Sequence, residues 1–366
     1  ALAAGAEVII STASGLFDVQ VPVGAVTAAI ENKGGVVATQ GVAYLTARGV
    51  SVATSSLSNP GRVEATGLVE RDGRIYLESE GALTTVGTVK ASRAADGGDV
   101  EIKGGFVALG GTISADGAKG GTVKVESKGM LSLADKVTAK GLQTSGGTIS
   151  YHSLGQTIEN STGFSDVSGR TDGGKLSLNA EQGVMSSGTY LASGATGKGG
   201  MIDLAGFGVR LLSATLDASG MTQGGLIRVG GAFQGGKDVG IRGDNGVLRD
   251  GYLLRWGDLP SISSATRVLI NDTSSLVVSS TCGPAGTVVV WSEAQTTMAG
   301  SVLASGLSRG GFVELSSADE LRHADLSKVR GAFSLLLDPK NITVGTVAQA
   351  SGWSYAAIIG AGYSGN

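Results

Sequence analysis

Cysteine is almost missing from this 366-residue sequence: Cys282 stands alone, so no disulfide can close within the chain. Aromatic residues make up only 5% of it, which leaves backbone pairing and stacked aliphatic side chains to hold the fold. Proline occurs 5 times beside 62 glycines, and no three-residue period runs through them, so collagen is excluded. Charged residues are scarce at 16%, sum to −3 and form no basic block, which argues against nucleic acid or an anionic membrane surface as partner. No apolar run of about 18 residues exists, so no membrane insertion is expected. The two histidines, His152 and His323, lie far apart without a second ligand at metal spacing. No metal site, no cofactor and no histidine base is therefore expected.

What is present is a repeat. An apolar content of 41% disfavours Gly/Ser-rich disorder, and glycine pairs recur at Gly97-Gly98, Gly120-Gly121, Gly146-Gly147, Gly173-Gly174, Gly199-Gly200, Gly224-Gly225 and Gly310-Gly311. Before the gap the intervals are 23, 26, 27, 26 and 25 residues. Each pair opens an alternation with apolar residues at the second and fourth places, as in Val100/Ile102, Val123/Val125, Ile202/Leu204 and Ile227/Val229. The residue between them is mostly polar, so Glu101 beside Lys124 and Asp203 beside Arg228 are expected to form outward charge pairs between rungs, each contributing a fraction of a kcal/mol. About sixteen residues after the glycine comes a second strand of the form apolar-x-Ala-x-Gly, as in Ile113-Ala115-Gly117 and Leu216-Ala218-Gly220. There small residues let walls approach, and glycine permits a left-handed corner.

Short period-two strands turned by glycine and repeating at about 25 residues describe an all-β fold, a right-handed parallel β-helix (β-solenoid) with a loop insertion. The β-helix is expected from about residue 20 to 345, within a rod segment of 1–345, and 346–366 opens a following region or linker. About fifteen coils at ~4.8 Å each would make a rod on the order of 70 Å. The uncharged ends, 1–5 and 353–360, do not read as caps, which predicts a piece of a longer polypeptide whose cut edges recruit other chains.

The period breaks at about 232–282, an insertion expected to lie partly outside the coil. It gathers Tyr252, Arg255, Trp256 and Asp258 in a chain otherwise poor in aromatics. Sugar rings stack their C–H faces on aromatic surfaces while carboxylates and guanidinium groups bond the hydroxyls, so these four are candidate carbohydrate-binding residues for a matrix polysaccharide or host glycan. The competing reading is a loop packed on the helix wall with Trp256 as its hydrophobic foot. Arg242-Gly243-Asp244 spells an integrin-type tripeptide, making a host integrin a further candidate partner, although a Gly-Asn turn is the commoner origin of three such residues where glycine is this frequent. Catalysis on a β-helix needs clustered carboxylates, whereas Asp96, Asp116, Asp135, Asp172, Asp203 and Asp217 fall at different phases. The chain is therefore not expected to be an enzyme.

The stretch Gly286-Thr287-Val288-Val289-Val290-Trp291, Thr297 to Gly306, Gly310 to Glu314 and Ser334 to Val344 resembles one that recurs in large exoproteins of the filamentous haemagglutinin type. Gly61 to Gly67 and Glu70 to Ile75 resemble the region after that family's N-terminal secretion domain. The resemblance covers most of 20–345, and departs from the family at Ser316-Ser317-Ala318 and between Gly236 and Pro260. It implies export through periplasm and outer membrane by a dedicated β-barrel transporter, as in two-partner secretion, and a place on the cell surface or in the extracellular matrix. The function it implies is adhesion between cells or to a biofilm matrix. A passive stalk presenting a distal adhesin or toxin tip is the alternative.

Overall fold

Side chains that alternate between two faces make strands, and strands that cannot bury their apolar face alone must stack on copies of themselves. The computed structural model describes residues 73–338 except 94, 237–245, 323 and 324, together with strand backbones between 9 and 67; of 246–250 and 338 only the backbone is described. The chain winds through three parallel sheets in turn. Wall 1 runs from Val42–Ala47 through Arg74–Ser79, Asp99–Gly104 and Thr122–Ser127 to Ala332–Asp338. Wall 2 runs from Ala28–Glu31 to Glu320–Arg322, and wall 3 from Gly35–Thr39 to Val329–Arg330. This is a parallel β-helix.

Among the described residues each wall stacks eleven strands along its path, a span of about 48 Å at ~4.8 Å per step; the fifteen coils expected were counted over the whole chain. Dividing chain length by the repeat also counted the insertion, which adds no rung, and residues that lie outside the described ones.

The expected strand faces hold. Ile75, Val100, Val123, Ile149, Leu176, Ile202 and Ile227 form one inward column of wall 1, in register from coil to coil and at most 1% exposed. Wall 3 contributes Ala91, Ala115, Ala139, Val167, Ala192 and Ala218, all fully buried. Outside, Glu101 does sit beside Lys124, but its carboxylate pairs with Lys103 two residues along its own strand, while Lys124 and Lys103 both reach Glu126.

The glycine pairs have a steric cause. The backbone N–H of each second glycine donates to the carbonyl that closes wall 3, as in Gly121 to Ala115 at 2.8 Å and Gly225 to Ala218 at 2.7 Å. A Cβ on Gly121, Gly147, Gly174, Gly200 or Gly225 would lie within 2.1 Å of the equivalent glycine's carbonyl oxygen one coil back. A Cβ on the first glycine would strike wall 3 of its own coil: on Gly146 it would stand 1.7 Å from the Val167 oxygen. None of these paired glycines, nor Gly117 or Gly220, has positive φ. The corner thus needs the missing Cβ, not the left-handed backbone expected from sequence. Gly146→Ala is expected to lower the urea midpoint with a loss at or above the ~1–3 kcal/mol of ordinary overpacking, because backbone cannot swing aside as a side chain can. Gly251→Ala, in a helix with nothing within 4 Å, should be neutral or stabilising. Equal effects at both sites would refute the close-approach account.

Candidate functional site

The chain leaves wall 1 after the strand Leu226–Val229 and re-enters the coil at the wall 2 strand Arg267–Ile270. Of the 232–282 segment expected partly outside the coil, the part from Arg267 lies in it, since Arg267–Ile270 and Ser275–Val277 pair with both neighbouring coils. The base of the excursion is pinned where the Ala265 N–H donates to the Gly230 carbonyl at 2.6 Å.

The excursion is not only loop. A tight turn, Phe233–Gly236, in which Gln234, Gly235 and Gly236 have left-handed backbone, is followed by α1, Gly246–Trp256. Gly257 ends α1 with φ 71° and its N–H donates to the Leu253 carbonyl at 2.7 Å, a left-handed cap that glycine adopts without strain. Two glycines at Gly246 and Gly251 made this segment read as loop; packing on the wall overrides that propensity.

On a helix, Tyr252, Arg255 and Trp256 stand at i, i+3 and i+4, hence on one face. That face turns toward wall 1. The Tyr252 ring stacks on Phe233 at 4.6 Å, and Phe233 meets Phe312 edge-on at 5.6 Å. Beneath them, Val289, Trp291 and Leu336, outward residues of wall 1, are buried. Trp256 Nε1 donates to Thr287 Oγ1 at 3.0 Å, and the Arg255 guanidinium donates to the Ala285 carbonyl and lies 5.2 Å from the Trp256 ring. Burial pulls the Arg255 pKa down, with Arg309 adding repulsion. Asp258 is exposed beyond the helix end. The structure therefore brings Tyr252, Arg255 and Trp256 together and turns them onto the protein's own wall, as in the competing sequence reading with Trp256 as a hydrophobic foot, although the segment is a helix and not a loop. Arg242, Gly243 and Asp244 lie outside the described residues.

The excursion changes the fate of charges that would otherwise be solvated. Asp203 and Arg228 are in register on the outer face, as expected, but only 3% and 2% exposed. They form a two-pronged pair, Nε to Oδ1 at 2.7 Å and Nη2 to Oδ2 at 2.8 Å, while Arg228 Nη1 donates to the Pro260 carbonyl at 3.0 Å. Burial alone would lower the Arg228 pKa; the Asp203 carboxylate outweighs it and raises it. Burial pushes the Tyr252 hydroxyl up to about 12 against the pull of Arg228. Further along the face, the fully buried Glu314 carboxylate accepts the Gln234 N–H at 3.1 Å. Phe233, Gln234, Trp291 and Glu314 were missed from sequence. The one signal was apolar Val289, Trp291 and Leu336 at outward positions of wall 1.

The scattered aspartates act as braces between coils. Asp96 accepts from the Lys119 N–H, Asp116 from Lys140 N–H and Thr138 Oγ1, Asp135 from Gly111 N–H and Asp172 from Lys198 N–H, at 2.6 to 3.0 Å. An open groove lies away from the insertion, at the corner of walls 2 and 3, where Phe164, Lys136, Asp135, Thr112 and Thr162 line about 550 Å³.

Compared with known proteins, this fold is similar to that of the HMW1 secretion domain from Haemophilus influenzae. The two share 17% identity at a TM-score of 0.57, over 92% of this chain and 98% of that one. No protein-family model matches the chain, and no curated protein matches it.

Proposed function

We propose that this chain is a β-helical part of a secreted bacterial exoprotein, passed through the outer membrane by a two-partner transporter and working outside the cell as a non-catalytic rod in adhesion. The observation that carries this is the uninterrupted three-walled stack, similar over 92% of its length to a secretion domain. A chain without disulfides, whose coils each pair only with their neighbours, suits passage in an unfolded state and folding coil by coil on emergence. Cell fractionation tests it. Fused to an export leader, the chain should reach the medium only when an outer-membrane transporter of the two-partner type is co-produced. Equal release without one would overturn the export reading.

For adhesion itself, the inward turn of Tyr252, Arg255 and Trp256 favours a stalk over a glycan pocket in the insertion, because their polar atoms are already bonded to wall 1. The open groove at Phe164 is then the better place for a sugar ring. Glycan-array binding by the rod, its 237–258 deletion and Phe164→Ala separates the readings. Binding lost with Phe164→Ala and kept in the deletion supports the groove, and the reverse restores the insertion. No binding by any of the three supports the passive stalk.

A further inference from the structure

The inward columns of the rod are mostly aliphatic, with hydroxyl groups such as Thr85, Ser127 and Thr296 among them, and Glu159 brings a carboxyl group into them. Along the second inward column of wall 2 the residues run Thr85, Leu109, Leu133, Glu159, Ser186, Leu211, Ile270, Met298. The Glu159 side chain is inside the tube, 3% exposed, in a column whose other members are apolar apart from the hydroxyls of Thr85 and Ser186.

The surroundings are fitted to a carboxyl group. Ser186 Oγ donates to Glu159 Oε2 at 2.6 Å, and the Tyr190 hydroxyl, from wall 3, donates to Ser186 Oγ at 2.9 Å and also bonds Glu159. Oε1 has no partner. Gly163 and Gly188 flank the group: a Cβ on either would stand 2.4 or 2.3 Å from Glu159 side-chain carbons. Across the tube, wall 1 contributes Tyr151, whose hydroxyl bonds Ser165 Oγ of wall 3 at 2.8 Å. The charged groups at the adjacent corner point elsewhere, Asp135 to the Gly111 N–H and Lys136 outward into the groove. Among the described residues no cation pairs with Glu159, so its neighbours are hydroxyls and tyrosines alone.

We propose that Glu159 is a proton-operated latch inside the rod: protonated, it lets the coils that carry it close like their neighbours, and ionised, it loosens them. An ionised carboxylate in an aliphatic tube, with one acceptor atom unbonded, keeps a large part of its desolvation cost, whereas the neutral acid does not. Burial, opposed by the Ser186 and Tyr190 hydrogen bonds, raises the group from 4.5 to about 7. The folded coils therefore hold a proton that the unfolded chain releases. Their stability is full below about 4.5, falls as pH rises to about 7 and is level above that.

Native-state amide exchange of the full chain, corrected for intrinsic rates, tests this. Between pH 4.5 and 8, opening of the Thr148–Ser153 and Lys175–Ala180 strands should rise by on the order of 100-fold relative to Thr287–Val290. Glu159→Gln should flatten that rise. The same pH dependence in wild type and variant, or one shared by all coils, would overturn the latch. If Glu159→Gln does not fold, Ser186→Ala decides. Removing a donor to the ionised form must carry the loss of protection to higher pH, and an unmoved profile would count against the proposal.

Discussion

Leu204→Asp is expected to unfold the coils around it, lowering the urea midpoint by several kcal/mol of stability, while Lys124→Asp shifts it by less than about 1 kcal/mol. Leu204 is fully buried in a column between Leu178 and Val229, so a carboxylate there meets only aliphatic groups and backbone already paired in the wall. It lacks what Glu159 has, a hydroxyl donor on the next coil and two glycines that leave room. Lys124 points to solvent and loses one exposed pair with Glu126, the kind of contact that contributes about 0–1 kcal/mol. Circular dichroism against urea measures both. Equal tolerance would mean that the strand faces are assigned the wrong way round.

Arg228→Ala should release the insertion rather than unfold the rod. With the insertion held in place, removing the guanidinium would strand Asp203 in a dry site at about 3–5 kcal/mol, the usual cost of breaking one half of a buried pair. The rod has an escape that a core site lacks. Lifting α1 and the Phe233–Gly236 turn lets water reach Asp203, at the expense of the contacts among Phe233, Tyr252 and Phe312. Limited proteolysis within 231–264 should therefore accelerate well over tenfold, while the rod's own urea midpoint moves less than with Leu204→Asp. The double change Asp203→Leu with Arg228→Met should keep the insertion docked, since replacing both ends of such a pair is often neutral or better. A rod that unfolds as far as with Leu204→Asp, its insertion still protected, would show that the pair belongs to the wall and not to the docking.

The amino-acid sequence by itself determined the coil. Glycine pairs at a period near 25 and two-residue alternation are local signals. Each strand meets a near-copy of itself one coil away, so a pattern read along the chain is also the pattern across the stack. That is why the inward columns from Val100 to Ile227, the small residues of wall 3 and the co-location of Tyr252 with Trp256 were legible. Tertiary structure alone decided which outward faces stay outward. Asp203 and Arg228 read as an exposed rung pair because nothing in their own strands says that a helix some twenty residues on will cover them. The cover that the Gln234 backbone gives Glu314 and the inward place of Glu159 were likewise invisible. Both depend on what sits across the tube or over the wall, and contacts between distant segments leave no period in the sequence.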